Sequence, residues 1–185
     1  MVCAARPRRD PGFVTIGNGE LIERRLKRSV PVAFGGNLAD YIPFYFTPLS
    51  PMLYNIKTGW GGIPRRPMAE IVIVVSSLPK LIEEHVPFVF TDRHAYLRTA
   101  CFYSEVSDLD QVPWDLLQTR DFEKDDQDPG KVERYQAEVL VYQELPLRAL
   151  VGFVCYNASV KAAMDADLAR RGQEHEVKVF PRWFF

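Results

Sequence analysis

Gln136-Ala137-Glu138-Val139-Leu140-Val141-Tyr142 is a strand-like run with one acid inside it. Alternation along a strand puts Ala137, Val139 and Val141 on one face and Gln136, Glu138, Leu140 and Tyr142 on the other. An ionised side chain on a half-buried strand is costly unless it is paired or used. Two readings follow from the spacing. Either Glu138 lines a cleft as a catalytic acid, or it is a strand-end glutamate paired with a neighbour such as Arg134.

Working outward, residues 121–133 are dense in charge, carry Asp128-Pro129-Gly130, and read as a solvated loop leading directly into this strand. Residues 70–75, Glu-Ile-Val-Ile-Val-Val, form a β-branched, nearly continuous apolar run that predicts a central strand covered on both faces. Further strands are predicted at 88–90, 152–156 and 177–180, with a short or edge strand at 44–46 because proline cannot donate to a ladder. Helices are predicted at 18–28 behind Asn18, after Ser50-Pro51, at 78–84, at 92–104 behind Thr91-Asp92, and at 159–171 with Gly172 as the stop. Residues 1–12 show no apolar period and predict a poorly ordered segment outside the core, leaving 13–185 as the folded unit. Short strands interspersed with helices, without strict alternation, predict a single α+β domain: a mixed, partly antiparallel sheet with flanking helices.

The 185 residues carry a formal net charge of -1, which argues against coating nucleic acid through many phosphate contacts while leaving room for local basic patches. Three cysteines without Cys-x-x-Cys spacing, no apolar stretch near the roughly 20 residues of a membrane span, and no secretory core predict a soluble, cytoplasmic protein. Gly-x-Gly-x-x-Gly, a Walker loop and Gly-x-Ser-x-Gly are absent, and His85, His94 and His175 lack metal-ligand spacing, so no metal is expected.

Several segments, in order, resemble one family. They are Ile22-Glu23-Arg24-Arg25; the run from Gly35-Gly36-Asn37 to Phe44-Tyr45-Phe46; Ser50-Pro51-Met52-Leu53-Tyr54; Phe88-Val89-Phe90-Thr91-Asp92; and Arg134-Tyr135-Gln136-Ala137-Glu138. The chain resembles the DarT-type DNA ADP-ribosyltransferase toxins from about residue 10 to its C-terminus. The resemblance implies an ADP-ribosyltransferase-like fold that consumes NAD as substrate and places ADP-ribose on a base, commonly thymidine, in single-stranded DNA. It implies a toxin paired with a macrodomain antitoxin that removes the modification. Glu138 is then the catalytic carboxylate, with partial burial expected to raise its pKa toward accepting a proton. Arg24 or Arg25 matches the family's essential arginine on the first helix, facing a phosphate of NAD or the base. Tyr45, Phe46, Met52 and Tyr54 are candidate walls for the cofactor. The loop before the catalytic strand is the candidate target reader, with Phe122, Arg134, Tyr135 and Gln136 as DNA contacts, joined by Asp92 and His94 from another matching stretch.

The sequence also departs from the family. No stretch of residues 1–13 matches the family's Tyr/His-x-x-Thr element that grips the nicotinamide end of NAD, and Leu49 and Tyr135 stand where arginines are common. These differences predict weaker cofactor or DNA affinity. They also keep a second reading open, a catalytically attenuated or inactive single-stranded-DNA-binding module of the same fold. A third, a glycohydrolase that only consumes NAD, leaves the target loop without a function.

Overall fold

The computed structural model describes residues 1–5 and 16–185. Along the chain it forms α1 (Gly19–Lys27), β1 (Tyr41–Tyr45), α2 (Pro51–Thr58), β2 (Ile73–Val75), α3 (Leu78–Glu83), β3 (Phe88–Thr91), β4 (Phe102–Tyr103), α4 (Trp114–Thr119), α5 (Lys131–Arg134), β5 (Glu138–Tyr142), β6 (Gly152–Cys155), α6 (Ala158–Arg170) and β7 (Glu176–Val179). The helix starts obey local chemistry. Asn18, Ser50, Ser77 and Asn157 each accept a backbone N–H of the first turn, and Pro51 opens α2 where its missing N–H costs nothing. Asn157, not Ser159, caps α6.

Two sheets result, one antiparallel in the order β1-β5-β3-β4 and one in the order β2-β6-β7 with β6 and β7 parallel. The mixed α+β architecture expected from the sequence is therefore the one observed. In β5 the alternation separates two cores. Val139 and Val141 join Phe90 and Ile42 on one face, while Leu140 meets Tyr41, Val89 and Leu38 on the other. Fully burying one such leucine contributes about 1.5 to 3 kcal/mol. β1 lies at the sheet edge, which admits Pro43 within it.

Three expectations are corrected. The 70–75 run yields only β2, at an edge of its sheet rather than its centre. It is apolar on both faces because Ile73 and Val75 pack on one core and Val74 on another. No helix forms over 92–104. The His94 N–H goes to Glu133 O, Asp92 Oδ1 takes the Cys101 N–H at 3.0 Å, and the carbonyls of Ala95 and Leu97 accept from the Arg28 guanidinium. Those are groups that a helix would have used internally. Residues 1–3 run antiparallel along 143–145, Cys3 is buried in the main core and the Ala5 N–H donates to Ala39 O, so the first five residues belong to the folded unit. Residues 6–12 of the predicted N-terminal segment lie outside the described residues.

Gly152 on β6 sits so close to its parallel neighbour that a Cβ there would lie 2.5 Å from the Glu176 carbonyl oxygen. Gly152→Ala must push β6 and β7 apart, and we expect a loss of about 1 to 3 kcal/mol. The urea midpoint, read by circular dichroism, should fall accordingly. An unchanged midpoint would show that the two strands yield freely.

Candidate active site

Glu138 opens β5 and is 2% exposed, the most deeply buried acid among the described residues. Three groups converge on a single oxygen, Oε1. Arg25 Nη1 donates at 3.1 Å, the Ala95 backbone N–H donates at 2.9 Å, and His94 Nδ1 lies at 3.2 Å. Oε2 accepts no hydrogen bond from a described residue. On the partner side chain, Arg25 Nη2 is buried with no hydrogen-bond partner among the described residues. One free donor and one free acceptor thus lie on the same ion pair, an arrangement that suits a hydroxyl, which both accepts and donates. Burial pushes the carboxyl pKa up, but the Arg25 guanidinium and His94 outweigh it and hold the pKa down at about 2. The upward shift expected from burial is therefore reversed, because Arg25 and His94 lie against one oxygen of the buried acid.

The sequence places these groups by separate means. α1 keeps Leu21, Ile22, Arg25 and Arg28 on its inner side while Arg24 and Leu26 face solvent. Arg28 donates to Ala95 O and Leu97 O and lies over the Phe102 ring, locking the helix end onto the 95–97 turn. Arg25, one turn earlier, then reaches the carboxylate. Arg24 does not: it pairs with Glu20 at the surface and lies 5.8 Å from the Tyr96 ring centroid. Thr91 Oγ1 accepts the Glu138 N–H and donates to Arg93 O, joining the end of β3 to the start of β5. Arg28, Thr91 and the Ala95 amide were missed by sequence reasoning. Only Arg28, at the C-cap of a basic helix, offered a signal, and it reads equally as a solvated cation.

Tyr45 faces Glu138 in the β1–β5 register, and burial together with that carboxylate holds its phenol well above the ordinary range, hence protonated. With Phe46 and Met52 it also lines an apolar cavity of about 580 Å³ between β1 and β2. Glu138 and Arg25 are not among the cavity's lining residues. Tyr54 lies outside it too, edge-on to Phe185 at 5.4 Å.

The loop before β5 is more enclosed than expected, and it enters β5 through α5 rather than directly. Tyr135 is 2% exposed, its hydroxyl accepting the Asp121 N–H at 2.8 Å and bonding Thr119 Oγ1 at 2.7 Å. It is a core post and no surface for a base. Phe122 is half-buried between Tyr135 and Phe185. Arg134 is tied to Asp128 through both nitrogens, Gln136 Nε2 donates to Val132 O, and Asp92 is engaged with Cys101 and Arg93. Of the six expected DNA contacts, His94 alone reaches the carboxylate. Among the described residues no cluster of His, Cys, Asp or Glu is placed to hold a metal, and no helix is long and apolar enough to cross a membrane.

A DNA ADP-ribosyl transferase of Escherichia coli O127:H6 is 49% identical over 173 residues, which is 94% of this chain and 79% of that protein. The structure of Thermus sp. 2.9 DarT in complex with ADP-ribosylated single-stranded DNA superposes with a TM-score of 0.89 at 29% identity, over 100% of this chain and 87% of that one. The same Thermus protein in complex with NAD+ gives a TM-score of 0.86 at 27% identity with the same coverage. The family model described as "ssDNA thymidine ADP-ribosyltransferase, DarT" matches residues 1–185, and the chain accordingly belongs to the DarT family of DNA ADP-ribosyltransferases.

Proposed function

We propose that this chain transfers ADP-ribose from NAD to a thymidine base in single-stranded DNA, with Glu138 and Arg25 as its catalytic pair. The observation that carries the reading is the buried Arg25–Glu138 pair with one donor, Nη2, and one acceptor, Oε2, left unused by the described residues. A ribose hydroxyl of NAD fits between them, accepting from Arg25 and donating to Glu138. In the reaction the bond between the nicotinamide nitrogen and ribose C1 breaks, and nicotinamide leaves neutral with the electron pair. A nitrogen of the base then forms a new bond to C1 and loses its proton. Positive charge builds on the sugar between these events, and a preorganised carboxylate stabilises it without having to reorganise. With its pKa near 2, Glu138 is a weak proton acceptor and a strong electrostatic one, so the proton passes from Oε2 to solvent. His94 holds the carboxylate in place, and Tyr45, Phe46 and Met52 supply an apolar wall for a ring of NAD. Single-stranded DNA suits the chemistry because no base pair must be opened.

Such damage to a cell's own DNA calls for a partner that reverses it. The chain acts, on this reading, as the toxin of a toxin-antitoxin pair, in the cytoplasm where NAD and DNA meet, opposite a macrodomain that hydrolyses the new bond. Family membership supports this role.

Incubation with NAD and thymidine-containing single-stranded oligonucleotides, followed by intact mass, should show a gain of one ADP-ribose. Glu138→Gln and Arg25→Ala should each lower the rate by about 100-fold or more, while Arg24→Ala should leave it within a few-fold. Retained oligonucleotide binding without any mass gain in the wild type would select the noncatalytic module, and release of nicotinamide alone would select the glycohydrolase.

The ionisation of Glu138 makes a second test. Its folded pKa lies below the ordinary value of 4.5, so its contribution to stability is fully present above about pH 4.5 and is lost as pH falls toward 2. The loss should be about 3 kcal/mol, seen as a fall in the urea midpoint over that window that Glu138→Gln lacks. Between about pH 5 and 8 the carboxylate should show no titration in its carbon-13 shift. A titration in that interval would remove the electrostatic role assigned above.

A further inference from the structure

The exposed tip of the loop before β5 carries Glu123, Asp125 and Asp126 against Lys124 alone. That surface repels phosphate, so the backbone of a bound strand needs a different path. A groove of about 530 Å³ lies at the end of α2, lined by Lys57, Arg65, Arg66, Tyr156 and Phe185 among others. The Arg66 N–H donates to Ile56 O at 2.9 Å, which holds the 65–66 turn beside Lys57. Arg66 shares its charge with Glu70 at 3.5 Å, whereas the side chains of Lys57 and Arg65 make no ion pair or hydrogen bond among the described residues. No acid lines the groove. In a chain whose net charge is -1, this is a concentrated local excess of positive charge.

Aromatic rings connect the groove to the catalytic strand. Phe185, in its wall, packs edge-on against Phe122, and Phe122 packs on Tyr135, three residues before Glu138. Tyr156 is 38% exposed at the same groove. Unpaired cations interleaved with rings are the chemistry that binds single strands, the cations meeting phosphates and the rings meeting bases.

We propose that this groove binds the phosphodiester backbone of the single-stranded substrate on nucleotides flanking the target base, with Lys57 and Arg65 as the phosphate contacts. The inference rests on the transferase reading for its substrate, but its test does not need turnover. Lys57→Ala/Arg65→Ala and the charge-keeping Lys57→Arg/Arg65→Lys are compared with the wild-type chain by fluorescence anisotropy on a single-stranded oligonucleotide of about 16 nucleotides. The alanine pair should reduce the slope of log affinity against log salt by about 1.4, since each single-strand phosphate contact contributes about 0.7, and the charge-keeping pair should restore it. In the transfer assay, KM for the long oligonucleotide should rise about tenfold in the alanine pair with kcat unchanged. On one of about 4 nucleotides centred on the target, the two proteins should match. An unaltered salt slope and KM in the alanine pair would overturn the groove assignment. Absence of ADP-ribose transfer by the wild type, with the salt-slope difference intact, would instead overturn the transferase reading and leave the groove standing.

Discussion

The pairing of Arg25 with Glu138 is the constraint from which the arrangement of this molecule follows. Removing one member of a buried ion pair typically costs about 3 to 5 kcal/mol, because the remaining charge stays desolvated. Both partners are therefore held by other contacts. Arg28 fastens α1 to the 95–97 turn, the same turn supplies the Ala95 amide to Oε1, and Thr91 joins the strands that carry the two sides of the site. Two donors and a histidine ring on one oxygen would be an excessive way to satisfy a purely structural glutamate. It makes sense if the second oxygen must stay free.

Much of this was legible because it is local. Caps at Asn18 and Ser50, the proline at the start of α2, and the edge position of β1 all follow from single residues and their immediate neighbours. The two faces of β5 were also legible, since alternation is a property of the strand itself. What failed was decided at a distance. Residues 92–104 have helical spacing of apolar side chains, yet Arg28 takes two of their carbonyls and Asp92 reaches across nine residues to Cys101. The β-branched run at 70–75 reports that both faces are covered, and coverage by two apolar clusters is compatible with an edge. Tyr135 looked like a surface ring because it follows a charged loop, but its hydroxyl is the post on which that loop closes. At the site, the sequence offered two adjacent arginines, and helix phase alone separates the one that turns inward from the one that meets solvent.

Charge is divided across the molecule in a way that net charge hides. The loop tip ahead of β5 is acidic, the groove at the end of α2 is basic, and the aromatic contacts of Phe122 and Phe185 lie between them. A polyanion approaching such a surface is steered as well as bound, because repulsion at one end and attraction at the other leave few orientations of low energy. Phosphate contacts of this kind fix register without reading bases. On the proposed reading, base choice then falls to the groups around Glu138.

In the proposed mechanism the low pKa of Glu138 divides the catalytic work. A carboxylate held near 2 gives up little of its charge to a passing proton, so it remains a full negative charge throughout the lifetime of an oxocarbenium-like sugar. A group tuned to near neutrality would accept the proton from the base more readily, but it would be partly neutral when the sugar needs it most. The proposed mechanism resolves that conflict in favour of bond breaking, since the pairing that lowers the pKa is also what fixes the geometry. Loss of the proton from the base nitrogen can follow formation of the new bond, when the nitrogen has become far more acidic. A weak acceptor then suffices, and the same Arg25 contact that weakens Glu138 as a base makes it ready as an electrostatic partner.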